Sequence, residues 1–183
     1  MDLNKISRKL SKILRHDPYP FTISDDGWVS TDAIIEHYGI TLDDLIHIVE
    51  TNDKKRFSLN EDNTLICANQ GHSENIAINK TYNQLTDPDT ELILYHGTDD
   101  VIAELIKNDV MKTGNRQHVH WTPNIDLAKK RANQRSEWNK TKPVLITLKI
   151  KTYLNNKGKI FISDNNVYLT PEIKPLFLNF INL

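Results

Sequence analysis

The chain has 183 residues, of which 38% are hydrophobic, so it can form one ordinary domain or two small lobes with a buried core. Its formal net charge of -1 does not by itself indicate a polyanionic partner, and its one cysteine, Cys67, excludes an intrachain disulfide framework. The apolar runs are too short to cross a bilayer and no signal-peptide pattern opens the chain, so we expect a soluble cytoplasmic protein with no membrane contact.

The first predicted element is an amphipathic helix with a basic outer face. Apolar residues recur at helical spacing over Leu3–Leu14, and lysines and arginines fill much of the remaining circumference. Within residues 1–16, five basic residues minus one acid give a local charge of +4. Pro18 ends the helix, which leaves Arg15 and His16 at its carboxyl end. The two cations either complement the helix dipole or bind an anion, and both interpretations stay open.

Two further helices and a β-hairpin are predicted next. Ser30 or Thr31 caps a helix that ends at Gly39, and Thr41–Asp44 has the spacing of a capping box that opens a third helix. Residues 56–59 and 64–67 are two short strands of a hairpin. Three helices followed by a hairpin are typical of a winged-helix lobe, a fold that binds nucleic acid in some proteins and protein in others.

The second half begins after a polar span, residues 79–89, which we interpret as a link between lobes. Residues 91–98 predict a strand that runs into a turn at Gly97, and Asp99–Asp100 then opens a helix. Backbone N–H groups at such a junction suit a nucleotide or an amide. The segment lacks a GxGxxG pattern, so a Rossmann site is not supported.

Arg116–Thr122 is the segment whose pattern most suggests chemistry. Read as a strand, it places Arg116, His118 and His120 on one face, and a cationic face of this kind favours a phosphate-rich ligand. The pattern also fits an ordinary surface strand, or two metal ligands that need a third. Nothing nearby supplies a further ligand cluster, so we predict no metal site.

The remaining elements are a helix, a strand, a hairpin and an apolar end. The helix covers residues 124–138, with a solvated basic run at 129–131, and a strand follows at 144–150. Residues 159–162 and 167–170 form the hairpin. The proline-interrupted end is expected to pack onto the sheet.

Six motifs occur together in a fixed order along nearly the whole chain. They are Leu14-Arg15-His16, Asp53-Lys54-Lys55-Arg56-Phe57, Ala68-Asn69-Gln70-Gly71-His72-Ser73, Tyr95-His96-Gly97-Thr98, Arg116-Gln117-His118-Val119-His120 and Asn166-Val167-Tyr168-Leu169-Thr170. In this combination the chain resembles the NAD-dependent RNA 2′-phosphotransferases, which remove the splice-junction 2′-phosphate from tRNA. The resemblance implies an α+β fold with a winged-helix-like RNA-binding lobe at residues 1–85 and an NAD-binding lobe at residues 86–183 with the split β-sheet of ADP-ribosyltransferases.

The resemblance also implies a reaction that consumes NAD as a co-substrate. An internal RNA 2′-phosphate attacks the nicotinamide ribose and releases nicotinamide, and the 2″-hydroxyl then attacks the phosphate to give 2′-OH RNA and ADP-ribose 1″,2″-cyclic phosphate. The implied catalytic residues are Arg15, His16, Arg56 and Arg116. Arginine suits this role because its planar fork binds phosphoryl oxygens in pairs. Whether His16 transfers a proton stays open.

The implied NAD-binding residues are His96, Gly97, Thr98, His120, Thr122 and Val167. ADP-ribosyltransferases often have Glu where this chain has Val167. The absence of this acid fits a phosphate nucleophile, which needs no carboxylate to activate it. Cys67 departs from the resemblance, because a basic residue is common before Ala68. The expected partners are RNA with an internal 2′-phosphate, including tRNA, and NAD, with the protein a monomer. ADP-ribose transfer to a nucleic-acid phosphate or another acceptor is the alternative activity, and RNA binding without catalysis is a third reading.

Overall fold

The computed structural model describes residues 2–74, 76, 78–88 and 90–183. Within them the chain is a mixed α/β protein with six α-helices and three small antiparallel sheets. It divides into two units. The first runs to Tyr82 and also includes Asn115–Gln117, whereas the second contains Asn83–Gly114 and His118–Leu183. The lobes of residues 1–85 and 86–183 stay a prediction.

The first unit contains three helices and one sheet. Its elements are α1 (Leu3–Ile13), β1 (Trp28–Ser30), α2 (Thr31–Tyr38), α3 (Leu42–Glu50), β2 (Phe57–Leu59) and β3 (Leu65–Ala68). The strand order is β1-β3-β2. Ser30 caps α2, Gly39 ends it in the left-handed conformation, and Thr41 and Asp44 form the predicted capping box. These local predictions are therefore confirmed.

Helix α1 is anchored by its apolar stripe. Ile6 and Leu10 are buried in the core of the first unit with Leu45 and Ile48 of α3. Each fully buried side chain of this size contributes roughly 1.5–3 kcal/mol. Leu14, just after the helix, is also fully buried, so the chain leaves α1 at a fixed position.

The second unit contains two sheets. Its elements are β4 (Asn83–Gln84), β5 (Ile93–Asp99), α4 (Asp100–Asn108), β6 (Val119–Trp121), α5 (Ile125–Asn139), β7 (Pro143–Lys149), α6 (Ile150–Asn155), β8 (Phe161–Ile162), β9 (Tyr168–Thr170), a 3-10 turn (Pro175–Phe177) and β10 (Leu178–Asn182). The strand orders are β10-β7-β5 and β4-β8-β9-β6. A backbone bridge between Tyr95 and Thr122 connects β5 to the end of β6.

The predicted turn at Gly97 is wrong, because β5 continues to Asp99 in register with β7. Gly97 lies instead under α5. A Cβ there would collide with the carbonyl oxygen of Ala128 and lie 2.7 Å from the Ala132 nitrogen. The glycine is therefore required by close helix–strand packing.

The predicted strand through Arg116 is also too long. Gln117 and His118 form a bend, and only Val119–Trp121 are extended. Arg116 makes an isolated backbone bridge with Ser73 in the first unit, so it does not share a strand face with His120. The alternation holds within β6, where Val119 and Trp121 are buried and His120 is half-buried.

Two segments for which no strand was predicted contain strands. The C-terminal segment, which was expected to pack onto the sheet, joins it as β10 by pairing with β7. In the span predicted as a link, Asn83–Gln84 pairs with β8, while Asp89 lies outside the described residues. In the part of the chain described here, no helix is long and apolar enough to cross a membrane.

Candidate functional site

Arg15 is a buried arginine in the first unit, just beyond α1. Only 9% of its surface is exposed, and its Nε and Nη2 have no hydrogen-bond partner within the described residues. Gly71 lies against it with a φ of +88°, and a Cβ at Gly71 would lie 3.7 Å from the guanidinium carbon. The guanidinium is thus held by packing, which leaves donors available to a ligand.

The surroundings of Arg15 disfavour its charge. Burial, followed by the positive charges of Arg56 and Arg116, lowers the pKa of Arg15 to about 10. Three cationic side chains of the first unit are therefore close enough to act on one another. We call Arg15, Arg56 and Arg116 the arginine cluster. Like charges in a partly desolvated region are stabilised when an anion binds between them.

Ser73 connects several members of this cluster. Its Oγ lies 2.5 Å from Nδ1 of His16, its backbone N–H donates to the Arg15 carbonyl at 2.8 Å, and its backbone bridges Arg116. Burial, followed by the charges of Arg15, Arg116 and Lys12, lowers the pKa of His16 below 6.5. At pH 7 the imidazole is therefore mainly neutral and can accept a proton.

Asn69 orders the backbone that carries Arg56. Its Nδ2 donates to the carbonyl of Lys55 at 2.8 Å, and its own N–H donates to the carbonyl of Arg56 at 2.8 Å. Ser58 donates to Oδ1 of Asn69 at 2.7 Å, and Asn52 Oδ1 accepts the Arg56 N–H at 3.1 Å. The start of β2 is thus fixed from two sides. The backbone position from which the half-buried Arg56 side chain extends is therefore well defined.

A cavity of about 480 Å³ opens beside this cluster. It is lined by His16, Ser73, Glu74, Asn115 and Arg116, all in the first unit. Partial burial of the guanidinium lowers the pKa of Arg116, although the residue as a whole is exposed. The cavity has room for a phosphate group with part of its attached sugar.

The second unit positions its predicted residues along β5 and β6. Because a carbonyl can only accept, Nδ1–H of His96 donates to the carbonyl of His120 at 2.9 Å. The His96 ring also contacts Trp121 edge to face, with 5.8 Å between ring centroids. The two strands thus fix the imidazole orientation of His96.

The backbone of Gly97 points to the edge of β5 that faces β6. Tyr95 and Thr122 exchange backbone hydrogen bonds of 2.8 and 3.0 Å across that edge. Since backbone direction alternates along a strand, the N–H and C=O of Gly97 point the same way as those of Tyr95. Beyond Thr122 the chain turns away at Pro123–Asn124 and enters α5.

Two other predicted NAD-binding residues lie in different surroundings. Thr98 is only 2% exposed in β5. Val167 is half-buried and immediately precedes β9, where Tyr168 pairs with Trp121 of β6. The second unit therefore places His96 beside His120 and Thr122 beside Tyr95, with Val167 next to the strand that pairs with β6.

Known proteins resemble this chain over almost its full length. A model of the family described as "RNA 2'-phosphotransferase, Tpt1 / KptA family" matches residues 2–172. A protein of Flavobacterium johnsoniae is 35% identical over 182 residues, covering 96% of this chain and 94% of the relative. One of Fusobacterium nucleatum is 36% identical over 183 residues, covering 96% and 97%. Each is described as "Probable RNA 2'-phosphotransferase".

The chain belongs to the RNA 2′-phosphotransferase family. This confirms the resemblance inferred from the six motifs. In this RNA 2′-phosphotransferase family member, Cys67 is fully buried in β3, and Nζ of Lys80 lies 3.4 Å from its sulfur and 3.3 Å from the carbonyl of Ala68. Although residue 67 itself carries no basic side chain, a lysine ammonium lies beside that position.

Sequence reasoning missed the supporting residues of this RNA 2′-phosphotransferase family member. Asn69 and Ser73 lie in a quoted motif, yet their roles depend on contacts with residues as far away as His16, 57 positions earlier. Asp99 was assigned only to a helix start, although it is buried and hydrogen-bonded. Among the described residues, no cluster of three or more His, Cys, Asp or Glu could hold a metal.

Proposed function

We propose that this protein removes an internal 2′-phosphate from RNA by transferring it to NAD. The products are 2′-OH RNA, nicotinamide and ADP-ribose 1″,2″-cyclic phosphate, and tRNA with a splice-junction 2′-phosphate is one substrate of this class. The observation that carries the proposal is the buried Arg15, with unpartnered donors, among the charges of Arg56 and Arg116.

The charge of this cluster matches a phosphate monoester better than an ordinary RNA linkage. A monoester carries about −1.5 to −2 charges at pH 7, because its second pKa is about 6. A phosphodiester carries a single charge, so it neutralises less of a three-arginine cluster. Arginine forks also bind phosphoryl oxygens in pairs. The 2′-phosphate is thus the group of the RNA for which the cluster has the highest affinity.

The first step in this proposal needs orientation more than proton transfer. An oxygen of the 2′-phosphate bonds to C1″ of the nicotinamide ribose, and the glycosidic bond breaks with release of neutral nicotinamide. The attacking oxygen is already anionic, so no carboxylate base is required. Arg15 and His16 hold the phosphate in line with the breaking bond.

The second step needs both charge stabilisation and a proton carrier. The 2″-hydroxyl bonds to phosphorus, the bond from phosphorus to the RNA 2′-oxygen breaks, and one proton passes from the attacking to the leaving oxygen. Arg56 and Arg116 stabilise the charge on the phosphoryl oxygens. His16 is neutral near pH 7 because its pKa is lowered, and its Nδ1 is oriented by Ser73. It can therefore accept the first proton and return it to the RNA oxygen.

The second unit has groups that fit the nicotinamide end of NAD. We place the carboxamide against the backbone N–H and C=O of Gly97, which form a donor–acceptor pair at the edge of β5. His96, oriented by its bond to the His120 carbonyl, then contacts the ribose, and His120 lies beside nicotinamide. In this proposal Thr122 and Val167 also line the nicotinamide site. Thr98 is buried in the sheet, so in this proposal its hydroxyl supports the site by a hydrogen bond from within the sheet.

The proposal also includes the fold assignment of each unit. The three helices and the β1-β3-β2 sheet of the first unit fit a winged-helix-like lobe. The second unit has two small antiparallel sheets, linked at the Tyr95–Thr122 bridge, which fits a split sheet of the ADP-ribosyltransferase type. These features support the assignments through element order and pairing.

The test is an incubation of purified protein with a six-nucleotide RNA that carries one internal 2′-phosphate, with and without NAD. Mass spectrometry of the products should show 2′-OH RNA, nicotinamide and cyclic phosphate only when NAD is present. A stable ADP-ribosylated RNA would support the alternative transferase. Binding of the RNA without turnover would indicate a binding protein, and either result would overturn the proposal.

A further inference from the structure

A second cavity lies between α1 and α3 in the first unit. Its volume is about 230 Å³, and its lining includes the apolar side chains of Leu3 and Ile48 together with Arg56. Pockets for drug-sized ligands measure roughly 300–1,000 Å³, so this one suits a single nucleoside-sized group. Because Arg56 also belongs to the arginine cluster, the cavity and the cluster share one residue.

Asn52 ties this cavity to Arg56. Its Nδ2 donates to Oγ of Ser7 on α1 at 3.3 Å, and its Oδ1 accepts the backbone N–H of Arg56 at 3.1 Å. Thr51, the residue after α3, adds a hydroxyl that donates to the carbonyl of His47 at 2.6 Å, so it can still accept a hydrogen bond from a ligand. The cavity thus has apolar surface for a ring and amide or hydroxyl groups for its polar edge, the combination that nucleosides require.

The charge of the lining favours an anion. Arg8 and Arg56 line the cavity, and the acid among the described lining residues is Asp53, so two positive charges face one negative charge. The other basic residues of α1 are placed differently. Lys9 lies over the ring of Tyr38, with Nζ 5.6 Å from the centroid, and Lys5 is exposed outside the cavity lining.

We propose that this cavity is a subsite for the nucleotide next to the 2′-phosphorylated one in the same RNA strand. Its base or ribose contacts Leu3 and Ile48, and Arg8 binds the intervening backbone phosphate. This inference rests on the proposed function, which assigns Arg56 to the 2′-phosphate. It gives the basic face of α1 a specific role at one residue, Arg8.

The experiment measures binding without NAD by isothermal titration calorimetry. The two probes are the six-nucleotide RNA with one internal 2′-phosphate and a nucleoside 2′-monophosphate, which has no neighbouring nucleotide. Arg8→Ala should weaken binding of the oligonucleotide about five- to tenfold and reduce its salt dependence by about 0.7 in the log–log slope. Binding of the monophosphate should change less than twofold.

Two further variants separate charge from shape. Lys5→Ala removes the same charge from α1 and should leave both affinities within about twofold, because exposed charges are screened beyond ~8 Å at physiological salt. Asn4→Trp adds bulk at an exposed residue of the cavity lining without changing the charge. It should weaken oligonucleotide binding and spare the monophosphate.

The outcomes distinguish this inference from the proposed function. If the wild-type protein converts the oligonucleotide but Arg8→Ala and Asn4→Trp bind it normally, the subsite is refuted and the proposed function stands. Equal weakening for both probes, or equal effects of Lys5→Ala and Arg8→Ala, would also refute the subsite. If the wild-type protein binds neither probe, both proposals fail.

Discussion

Each unit contains a buried ionic side chain, and the two side chains differ in how completely the protein provides hydrogen-bond partners for them. Asp99 in the second unit is 1% exposed, and Arg15 in the first is 9% exposed. Asp99 accepts hydrogen bonds from the N–H of Ile102 at 2.9 Å, from Nε of Arg135 at 2.7 Å and from Nδ2 of Asn139 at 3.0 Å. Arg15 has two buried nitrogens without a partner among the described residues.

The pKa values of the two groups express this difference. Burial raises the pKa of Asp99, but hydrogen bonds from Ile102, Asn139 and Arg135 outweigh it, so the net pKa lies below the usual value. Burial and two like charges lower the pKa of Arg15. The protein itself therefore stabilises the charge of Asp99 and destabilises that of Arg15. A complete set of partners indicates a structural charge, and an incomplete set indicates a ligand site.

The largest expected effect distinguishes two arginines, one from each region. In the proposed mechanism Arg116 stabilises transition-state charge, so Arg116→Ala should lower the rate of the second step about 10²- to 10³-fold. ADP-ribosylated RNA should then accumulate in a single-turnover assay. Arg135→Ala is the matched control and should instead lower the free energy of unfolding, because Asp99 loses a partner. Wild-type single-turnover rates in Arg116→Ala would refute the assignment of Arg116.

Asp99→Ala tests the structural side of the comparison. It removes the N-cap of α4 and the acceptor of Asn139, while the half-exposed Arg135 regains water, so we expect a loss of about 1–3 kcal/mol in the free energy of unfolding. Urea denaturation followed by circular dichroism measures the loss. Glu104→Ala, which removes an exposed ion pair with Lys107, should change stability by less than about 1 kcal/mol. Similar losses for both variants would contradict the structural role of Asp99.

Arg15→Met should make the protein more stable and inactive. It replaces a buried, incompletely partnered cation by an apolar side chain of similar length, and such replacements stabilise proteins by up to about 4 kcal/mol. Thermal unfolding without ligand should therefore show a higher Tm than for the wild type. Addition of the 2′-phosphorylated oligonucleotide should raise the Tm of the wild type only. A lower Tm for the variant without ligand would mean that Arg15 stabilises the fold.

The sequence predicted the features that depend on near neighbours. The capping box at Thr41 and Asp44 and the left-handed Gly39 are set by residues within one turn, so their patterns were sufficient. Gly97 was mistaken for a turn residue because its reason, the approach of α5, involves a helix that begins 28 positions later, at Ile125. The position of Arg116 was missed because its bridge to Ser73 is a long-range contact.

The candidate site shows the same limit. The order of the motifs was enough to name Arg15, His16, Arg56 and Arg116, because each of them lies within a motif that can be read directly from the sequence. The burial of Arg15 was not predictable, since a basic residue at a helix end is usually solvated. Its packing against Gly71 depends on a loop with positive φ, 56 positions away in the chain.

The smallest expected effect concerns the pH dependence of stability. The folded pKa of His16 is lowered below its unfolded value of about 6.5, so as the pH falls through about 6.5 the unfolded chain binds more protons at this residue than the folded one. Stability should therefore fall as the pH drops below about 6.5, with a slope of less than one proton because His16 is partly exposed. His16→Asn should remove this part of the slope, whereas His47→Asn, an exposed change on α3, should retain it. Inorganic phosphate should flatten the slope of the wild type, since a bound anion favours protonated His16. Identical slopes for the wild type and His16→Asn would show that His16 is not coupled to the arginine cluster.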